Sequence, residues 1–157
     1  MLADAIRATK AAGYTVTVGG TVNVQGQGFP IRGSGRGGSV QIGVGPFRKT
    51  LDLNPDHLLA LVRGVHSVSR LGTAVVDGVR TTHYYTEVPT PASQASRYGD
   101  AIPADVWLDA SGRIRRVRVQ LTTADYAAVP QVDVRGLRPP APARAPACRT
   151  APGCRTP

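Results

Sequence analysis

The chain has 157 residues and a formal net charge of +9, and its length suits one domain with a single hydrophobic core. Aromatic residues make up only 5% of it, so the core must consist mainly of Val, Leu, Ile and Ala, and Val-rich usage favours strands. Five arginines and no acidic residue follow residue 134, and subtracting their charge from +9 leaves +4 for residues 1–134. This modest charge, without interleaved basic and aromatic residues, argues against nucleic acid as a partner. No apolar run approaches the ~18 residues that span a bilayer.

The N-terminal residues predict a helix followed by two strands. Residues 2–12 carry apolar side chains at helical spacing and then meet Gly13, which suits the position after a helix end. Residues 14–18 and 21–25 alternate apolar and polar side chains, as strands do, and Gly19-Gly20 between them predicts a tight turn.

Residues 26–38 are rich in glycine, and the stretch from Gly33 to Gly38 matches the pattern G-x-G-x-x-G of dinucleotide-binding proteins. That pattern requires a helix directly after it, whose N-terminus meets the pyrophosphate. Here Val40, Ile42 and Val44 alternate with other residues and predict a strand instead. We therefore interpret residues 26–38 as a flexible hairpin connection and not as a nucleotide site.

A second helix is predicted to begin at Asn54-Pro55-Asp56. Asn caps helices, Pro is tolerated in the first turn, and Asp favours the positive end of the helix dipole. Four apolar residues then lie on one stripe of this helix: Leu58, Leu61, Val62 and Val65.

The pattern after residue 67 is that of paired strands. Residues 68–76 and 79–88 flank Asp77-Gly78, and an Asp-Gly pair between apolar-rich runs predicts a hairpin. A polar loop that contains prolines is predicted over residues 89–103.

A second hairpin is predicted after that loop. Residues 104–108 and 113–121 flank Asp109-Ala110-Ser111-Gly112, which fits a type I turn closed by a left-handed glycine. Ile114 has the opposite parity to the apolar residues that follow it in the strand. A β-bulge is therefore predicted near Arg115-Arg116.

After Asp133 the composition changes to Pro, Ala and Arg, and such a segment buries too little apolar surface to offset the entropy of ordering it. We predict a folded domain over residues 1–133 and a disordered tail over residues 134–157. The only cysteines, Cys148 and Cys154, lie in this tail. We interpret them as unpaired thiols, with a disulfide over a short loop as the alternative.

Two of the predicted hairpins carry motifs of a known family. They read VDGVRTTHY from Val76 to Tyr84, and VWLDASGR from Val106 to Arg113. In this order and spacing they resemble the LppX, LprA, LprF and LprG group of actinobacterial lipoproteins, which share the LolA-like lipoprotein-carrier fold. The resemblance extends more loosely over residues 2–121.

The resemblance implies an α+β fold in which a strongly curved antiparallel sheet, a half-barrel, carries helices on its concave face. It implies that a lipid or an acylated molecule is held by its acyl chains between sheet and helices. It also implies an extracytoplasmic location at the cell envelope, with peripheral membrane contact. Members of the group begin with a signal peptide and a lipid-modified cysteine, and we find neither at the start of the sequence as written.

The sequence offers no catalytic or metal-binding constellation. The only histidines are His57, His66 and His83, and none is spaced from a nucleophile or another ligand in a recognisable pattern. We interpret His83 as a strand residue that hydrogen-bonds a neighbour across the sheet. Asp109 is explained by its turn, and Asp105 alone makes no acid–base pair. We therefore predict a protein that is not an enzyme and uses no cofactor.

A lipid cavity is predicted between the strands and the two helices. Its candidate lining residues are Val16, Val18, Val22, Val24, Leu58, Leu61, Val62, Tyr84 and Trp107. Of these, Trp107 is also suited to an ordinary core position, which we favour. The leading hypothesis is a lipid- or lipoprotein-binding carrier. The alternatives are a structural or protein-interaction lipoprotein domain with a filled core, and a truncated remnant.

Overall fold

The structure is a computed structural model and describes residues 1–36, 39–44, 47–52, 65, 67–124 and 126–137. These residues form two helices and ten strands. The helices are α1 (Leu2–Ala12) and α2 (Ala92–Tyr98). The strands are β1 (Thr15–Val24), β2 (Gln27–Arg36), β3 (Ser39–Val44), β4 (Phe47–Asp52), β5 (Val68–Val76), β6 (Val79–Pro89), β7 (Ala101–Asp109), β8 (Ile114–Val119), β9 (Leu121–Thr122) and β10 (Tyr126–Arg135).

The strands form one antiparallel sheet, which is open and curled. Their order is β4-β3-β2-β1-β10-β8-β7-β6-β5, and the short β9 pairs with β10 beside β8. The curl brings Asp77, in the turn between β5 and β6, to the end of β10, where its Oδ2 lies 3.1 Å from the Nε of Arg135. Because β7 and β8 separate β6 from β10 in the sheet order, this contact requires the sheet to curl. The predicted α+β fold with a curved antiparallel sheet is confirmed.

One face of the sheet, here called the inner face, carries the apolar side chains. A first cluster of buried residues consists of Val16, Val18, Ile31, Val40 and Val134. A second cluster joins Leu2 and Ala5 of α1 to Val106 and Leu108 of β7. The backbone N–H of Ile114 donates a hydrogen bond of 2.8 Å to Oγ1 of Thr9, which fixes α1 against β8. The first helix therefore covers part of the inner face, as predicted.

The hairpins predicted at residues 77–78 and at residues 109–112 are present, and so is the bulge. Asp77 and Gly78 have φ values of 49° and 77°, as the two-residue turn predicted there requires. Gly112 has φ of 71°, and its N–H donates a hydrogen bond of 2.9 Å to the carbonyl oxygen of Asp109. Across β7 and β8, Trp107 pairs with Arg116 and Leu108 pairs with Ile114, so Arg115 is the extra residue of a β-bulge.

The predicted turn at Gly19-Gly20 is wrong. Both glycines lie inside the continuous strand β1, and the turn to β2 is instead at Gln25-Gly26, where φ is 49° and 82°. Gly20 has φ of +135°, and a Cβ there would collide with the carbonyl oxygen of Val129 on β10. Glycine is therefore required at residue 20 because the neighbouring backbone approaches closely, and not because the chain reverses.

The predicted flexible connection over residues 26–38 is also wrong, because β2 occupies most of it. Gly33 and Gly35 lie on the inner face of β2, where a Cβ would collide with the carbonyl oxygens of Gln41 and Ser39 on β3. Glycine at such positions allows a sheet to bend sharply. The predicted loop over residues 89–103 is likewise partly regular, since it contains α2 and the first residues of β7.

Strand β10 was not predicted from the sequence. Its Ala pair and Pro130 weaken the strand pattern, because alanine is depleted in strands and proline has no backbone N–H to donate to a neighbouring strand. On one side β10 pairs with β1 along its whole length, but on the other it pairs with β8 from Gln131 and with β9 up to Ala128. Pro130 therefore lies where β10 has a partner strand on one side only.

Several predictions fall outside the described residues. They are the helix beginning at Asn54 with Leu58, Leu61 and Val62, the residues His57 and His66, and the cysteines of the tail. Residues 138–157, most of the predicted tail, lie there too. The division into residues 1–133 and 134–157 stays a prediction, although β10 runs on to Arg135.

Candidate functional site

The inner face is apolar over the seven middle strands of the sheet, and its central row ends beside Arg70 on β5 and Lys49 on β4. One row of directly paired residues crosses seven strands from β6 to β3, and each of its members is apolar, aromatic or glycine. The row consists of Tyr84, Val106, Val117, Val132, Val18, Gly33 and Ile42. Because alternate residues of a strand point to opposite faces, the neighbouring inner-face positions add further apolar side chains, among them Val16, Val134 and Leu108.

This inner face is covered unevenly. Val18 and Val106 are buried, with 6% of their surface exposed, whereas Tyr84, Val117 and Val132 in the same row are only partly buried. Towards the end of β1, Val24 is 38% exposed. Apolar side chains of intermediate burial on one concave surface are what a site for an apolar ligand requires.

The structure brings together most of the predicted cavity residues that it describes. Val16 and Val18 belong to the first buried cluster, and Val22 packs against that cluster. Tyr84 packs against the cluster formed with α1. Val24 shares the inner face of β1 with these valines and is the most exposed of them.

Trp107 does not join them, because it lies on the opposite face, here called the outer face. Its ring stacks on the imidazole of His83 at a centroid distance of 4.2 Å and an interplanar angle of 7°. The guanidinium carbon of Arg118 lies 5.6 Å from the Trp107 ring. Trp107 is only 8% exposed, so it is buried under polar neighbours on the outer face and does not line the inner one.

The polar group beneath this stack is a carboxylate. Oδ1 of Asp105 lies 2.8 Å from Nε2 of His83, so the cross-strand hydrogen bond predicted for this histidine is confirmed. The other oxygen, Oδ2, accepts hydrogen bonds of 3.1 and 2.8 Å from Arg118. Burial by itself would raise the pKa of the Asp105 carboxyl, but the bonds from Arg118 and His83 outweigh it and lower the pKa.

Asp109 forms a second ionic cluster at the turn between β7 and β8. Its Oδ1 accepts hydrogen bonds from the backbone N–H groups of Ser111 and Arg113, and its Oδ2 accepts bonds from the Nε atoms of Arg113 and Arg115. Burial raises the pKa of the Asp109 carboxyl, and the hydrogen bonds from Arg113, Arg115 and Ser111 more than reverse this, so the pKa is lowered. The predicted turn role of Asp109 holds, and this carboxylate is saturated by structural partners.

A group that the sequence did not reveal lies where α2 meets β10. The hydroxyl of Tyr98 on α2 lies 2.9 Å from the hydroxyl of Tyr126 on β10. The guanidinium carbon of Arg97 lies 5.6 Å from each of the two rings. Burial first, and then the hydrogen bond that it shares with Tyr98, raise the pKa of Tyr126. Neither α2 nor β10 was predicted, so the only sequence signal was the presence of two tyrosines in regions with few other aromatic residues.

These arrangements define what the described part of the chain can do. It contains no group of three or more His, Cys, Asp or Glu side chains that could hold a metal ion. None of its helices has the length and apolar character needed to cross a membrane. On the outer face Asp105 and Asp133 form ion pairs with Arg118 and Arg116, and the inner face offers apolar surface without charged groups in its row from β6 to β3.

The fold is therefore that of an open, curled antiparallel sheet whose apolar inner face is partly covered by the first helix. No protein-family model matches the sequence, and no curated protein matches it. Among solved structures, the chain is similar to the lipoprotein LppX of Mycobacterium tuberculosis, with a TM-score of 0.50 and 18% identity over 88% of this chain and 96% of that one. The predicted resemblance is thus confirmed at the level of the fold.

Two further solved structures are more distant. LprF from Mycobacterium bovis has a TM-score of 0.49 and 14% identity, over 88% of this chain and 91% of that chain. A DUF1329 family protein from Desulfovibrio piger has a TM-score of 0.25 and 10% identity, over 87% and 90% of the two chains.

Proposed function

We propose that this chain is a non-catalytic lipid-binding module of a bacterial cell envelope, which encloses acyl chains between its inner face and the helices that cover it. The single observation that carries the proposal is the apolar row from Tyr84 to Ile42, in which Val106 and Val18 are buried while Tyr84, Ile42 and the two valines at its centre are only partly buried. A surface of this kind stabilises an apolar ligand by removing it from water.

The expected driving force is large enough for stable binding. Each methylene group taken out of water contributes about 0.8 kcal/mol, so ten enclosed methylenes would contribute roughly 8 kcal/mol before the losses of motion on binding. Such a site needs no cofactor, and it selects its ligand by the length and shape of the apolar part.

The fold shared with LppX, a lipoprotein, supports this proposal and its extracytoplasmic location at the envelope. The glycines of β2 support it from a different direction. At Gly33 and Gly35 the backbone of β3 approaches too closely for a side chain, so the sheet can bend sharply and curl around a ligand. The candidate lining residues that the structure describes are Val16, Val18, Val22, Val24 and Tyr84, to which we add Val117 and Val132.

The test uses two matched substitutions on the same strand. Val132→Phe places a larger side chain in the partly buried centre of the inner face, whereas Val129→Phe places the same side chain on the outer face, where Val129 is 44% exposed. The measurement is the dissociation constant of a fluorescently labelled fatty acid in detergent-free buffer. We expect Val132→Phe to weaken binding about tenfold or more by filling the site, and Val129→Phe to leave it unchanged.

A second pair of measurements guards against misfolding. Thermal unfolding of both variants reports stability, and Val132→Ala, which widens the site, should fold and keep its affinity for the probe. The proposal is also tested by native mass spectrometry of the protein purified from the cells that produce it. If no acyl-containing molecule co-purifies and the labelled fatty acid does not bind, the carrier proposal is wrong and the alternative of an interaction domain with a filled core takes its place.

A further inference from the structure

The outer face carries its positive charge in two different arrangements. One row of paired residues crosses eight strands and includes both arrangements of charge. It consists of Tyr85, Asp105, Arg118, Gln131, Gly19, Arg32, Gly43 and Arg48. At the β7–β8 end Arg118 is bound by Asp105, whereas at the β2–β4 end Arg32 and Arg48 are exposed and have glycine as their neighbours in the row.

Arg32 and Arg48 are brought together by the glycine between them. Gly43 pairs with Arg32 on one side and with Arg48 on the other. The Arg48 side chain lies across Gly43, because a Cβ on that glycine would collide with the Arg48 guanidinium. The positive charge of Arg48 is therefore placed over β3, towards Arg32. Two like charges held near each other without an acidic side chain favour an anion as their partner.

The surroundings of this pair are polar and carry no acid among the side chains that the structure describes on the outer face of β1 to β4. The adjacent row offers Ser34, Thr17, Gln41 and Thr50, whose hydroxyl and amide groups can donate hydrogen bonds. Arg36 is a further exposed arginine on β2, and Asp52 stands in its row two strands away. The inference therefore rests on Arg32 and Arg48.

We propose that the outer face of β1 to β4 docks on an anionic phospholipid surface, with Arg32 and Arg48 binding lipid phosphate groups. The patch is a sheet surface about 15 Å wide, judging from the spacing of four strands, and so presents its charges to an extended anionic surface. Nucleic acid fits less well, because the described outer-face side chains of these strands include no aromatic ring on which a base could stack. The inference deepens the proposed function, on which it rests, by naming the surface with which lipid is exchanged.

The test measures binding of the full chain to vesicles of phosphatidylglycerol mixed with phosphatidylcholine, and to vesicles of phosphatidylcholine alone, by co-sedimentation. The variant is Arg32→Gln/Arg48→Gln. The control is Arg70→Gln/Arg80→Gln, which removes the same charge from exposed positions on β5 and β6. Any contribution from the arginines after residue 137 is equal in all proteins compared.

We expect the parent chain to bind the anionic vesicles at low salt and not the neutral ones. Arg32→Gln/Arg48→Gln should weaken that binding roughly thirtyfold, since a basic side chain at an anionic surface contributes about 1 kcal/mol. The Arg70→Gln/Arg80→Gln control should weaken it much less, and Arg32→Lys/Arg48→Lys should retain most of it. Thermal unfolding of each variant checks that the fold is intact.

Several results would overturn the inference. They are equal weakening by the two Gln pairs, no loss in Arg32→Gln/Arg48→Gln, no binding of the parent chain to anionic vesicles, or tighter binding of a DNA oligonucleotide through the same two arginines. Binding of the labelled fatty acid by Arg32→Gln/Arg48→Gln separates the two proposals. If that variant no longer binds the vesicles but still binds the fatty acid, the docking surface is distinct from the proposed lipid site on the inner face. If neither the parent nor the variant binds the fatty acid, the proposed function is wrong whatever the vesicles show.

Discussion

In one half of the outer face, formed by β6, β7, β8 and β10, Arg118 is bound by Asp105, Arg116 by Asp133, and Arg115 by Asp109. In the other half, formed by β1 to β4, Arg32 lies between Gly19 and Gly43, Arg48 lies beside Gly43, and neither has an acidic partner among the described side chains. The first half uses charge to hold strands together. In the second half the backbones of β2 and β3 approach closely at Gly33 and Gly35, and the two arginines have no described counter-charge.

The largest effect is expected at Asp109 in the paired half. Asp109→Asn keeps the shape of the side chain but leaves the guanidinium groups of Arg113 and Arg115 without their buried counter-charge, and the Asp109 side chain is only 4% exposed. Breaking such a buried pair costs about 3–5 kcal/mol. Urea unfolding should therefore show a loss of free energy in that range. Asp100→Asn, at an exposed position, is the control and should have no measurable effect.

The next largest effect is expected at Gly20, where β1 meets β10. Gly20→Ala forces a side chain into a backbone with φ of +135° and against the carbonyl oxygen of Val129. Strain and overpacking together should lower the free energy of unfolding by about 3 kcal/mol. The adjacent Gly19→Ala meets no atom within 4 Å and should be neutral or slightly stabilising. Equal losses in the two variants would contradict the role assigned to close backbone approach.

A smaller effect is expected at Asp105, because the side chain of its partner Arg118 is 41% exposed and solvent weakens their ion pair. Asp105→Asn removes the charge-assisted bonds to Arg118 and His83 and should cost about 2 kcal/mol in urea unfolding. Asp77→Asn is the matched control, because its ion pair with Arg135 is exposed and asparagine tolerates the positive φ of 49° in the turn. Its expected change is within about 0.5 kcal/mol. A neutral Asp105→Asn would show that the paired half does not depend on this carboxylate.

The same carboxylates predict a dependence of stability on pH. Because the pKa of Asp105 and the pKa of Asp109 are lowered in the folded chain from the ordinary value of 3.8, their stabilisation is complete above that value. It is lost as the pH falls through 3.8 towards the folded pKa. Thermal unfolding between neutral and acidic pH should therefore show a smaller acid-induced loss in Asp105→Asn and Asp109→Asn than in the parent chain. A loss of the same size in all three proteins would contradict the lowered pKa values.

The smallest effect on stability is expected in the unpaired half. Arg32→Gln/Arg48→Gln removes two exposed like charges without a counter-charge, so the free energy of unfolding should change by less than about 0.5 kcal/mol, or rise slightly. Thermal unfolding of this variant beside Asp109→Asn tests the comparison directly. A large loss in Arg32→Gln/Arg48→Gln would mean that these arginines hold the fold and are not reserved for a partner.

The local features that the sequence predicted well are those that depend on a few neighbouring residues. The Asp77-Gly78 turn requires positive φ at both positions, and the parity of Ile114 requires an extra residue, Arg115, in β8. The predicted role of His83 also depends only on adjacent strands, because its partner Asp105 lies on β7, which pairs directly with β6. In each case the physical signal lies within the pattern of one or two adjacent strands.

Other features were misread because the same residue type serves two purposes. Gly19-Gly20 was predicted as a turn, but Gly20 is glycine because β10 approaches it from more than a hundred residues away in sequence. Residues 27–36 were predicted as a connection, but their glycines permit the bend of β2 against β3. Trp107 was included among the cavity candidates, yet the parity of β7 puts it on the outer face beside His83.

By itself, the sequence determined the class of the fold, the two hairpins with their turns and bulge, the first helix, and the apolar character of the surface on which a lipid-binding function is proposed. The tertiary structure decided which strands are neighbours, because β10 enters the middle of the sheet between β1 and β8 although its own residues form a weak strand pattern. It also decided which face each arginine occupies and whether an aspartate stands opposite. Those two outcomes depend on pairing between distant segments, and the free energy of such pairing is not contained in any local stretch of residues.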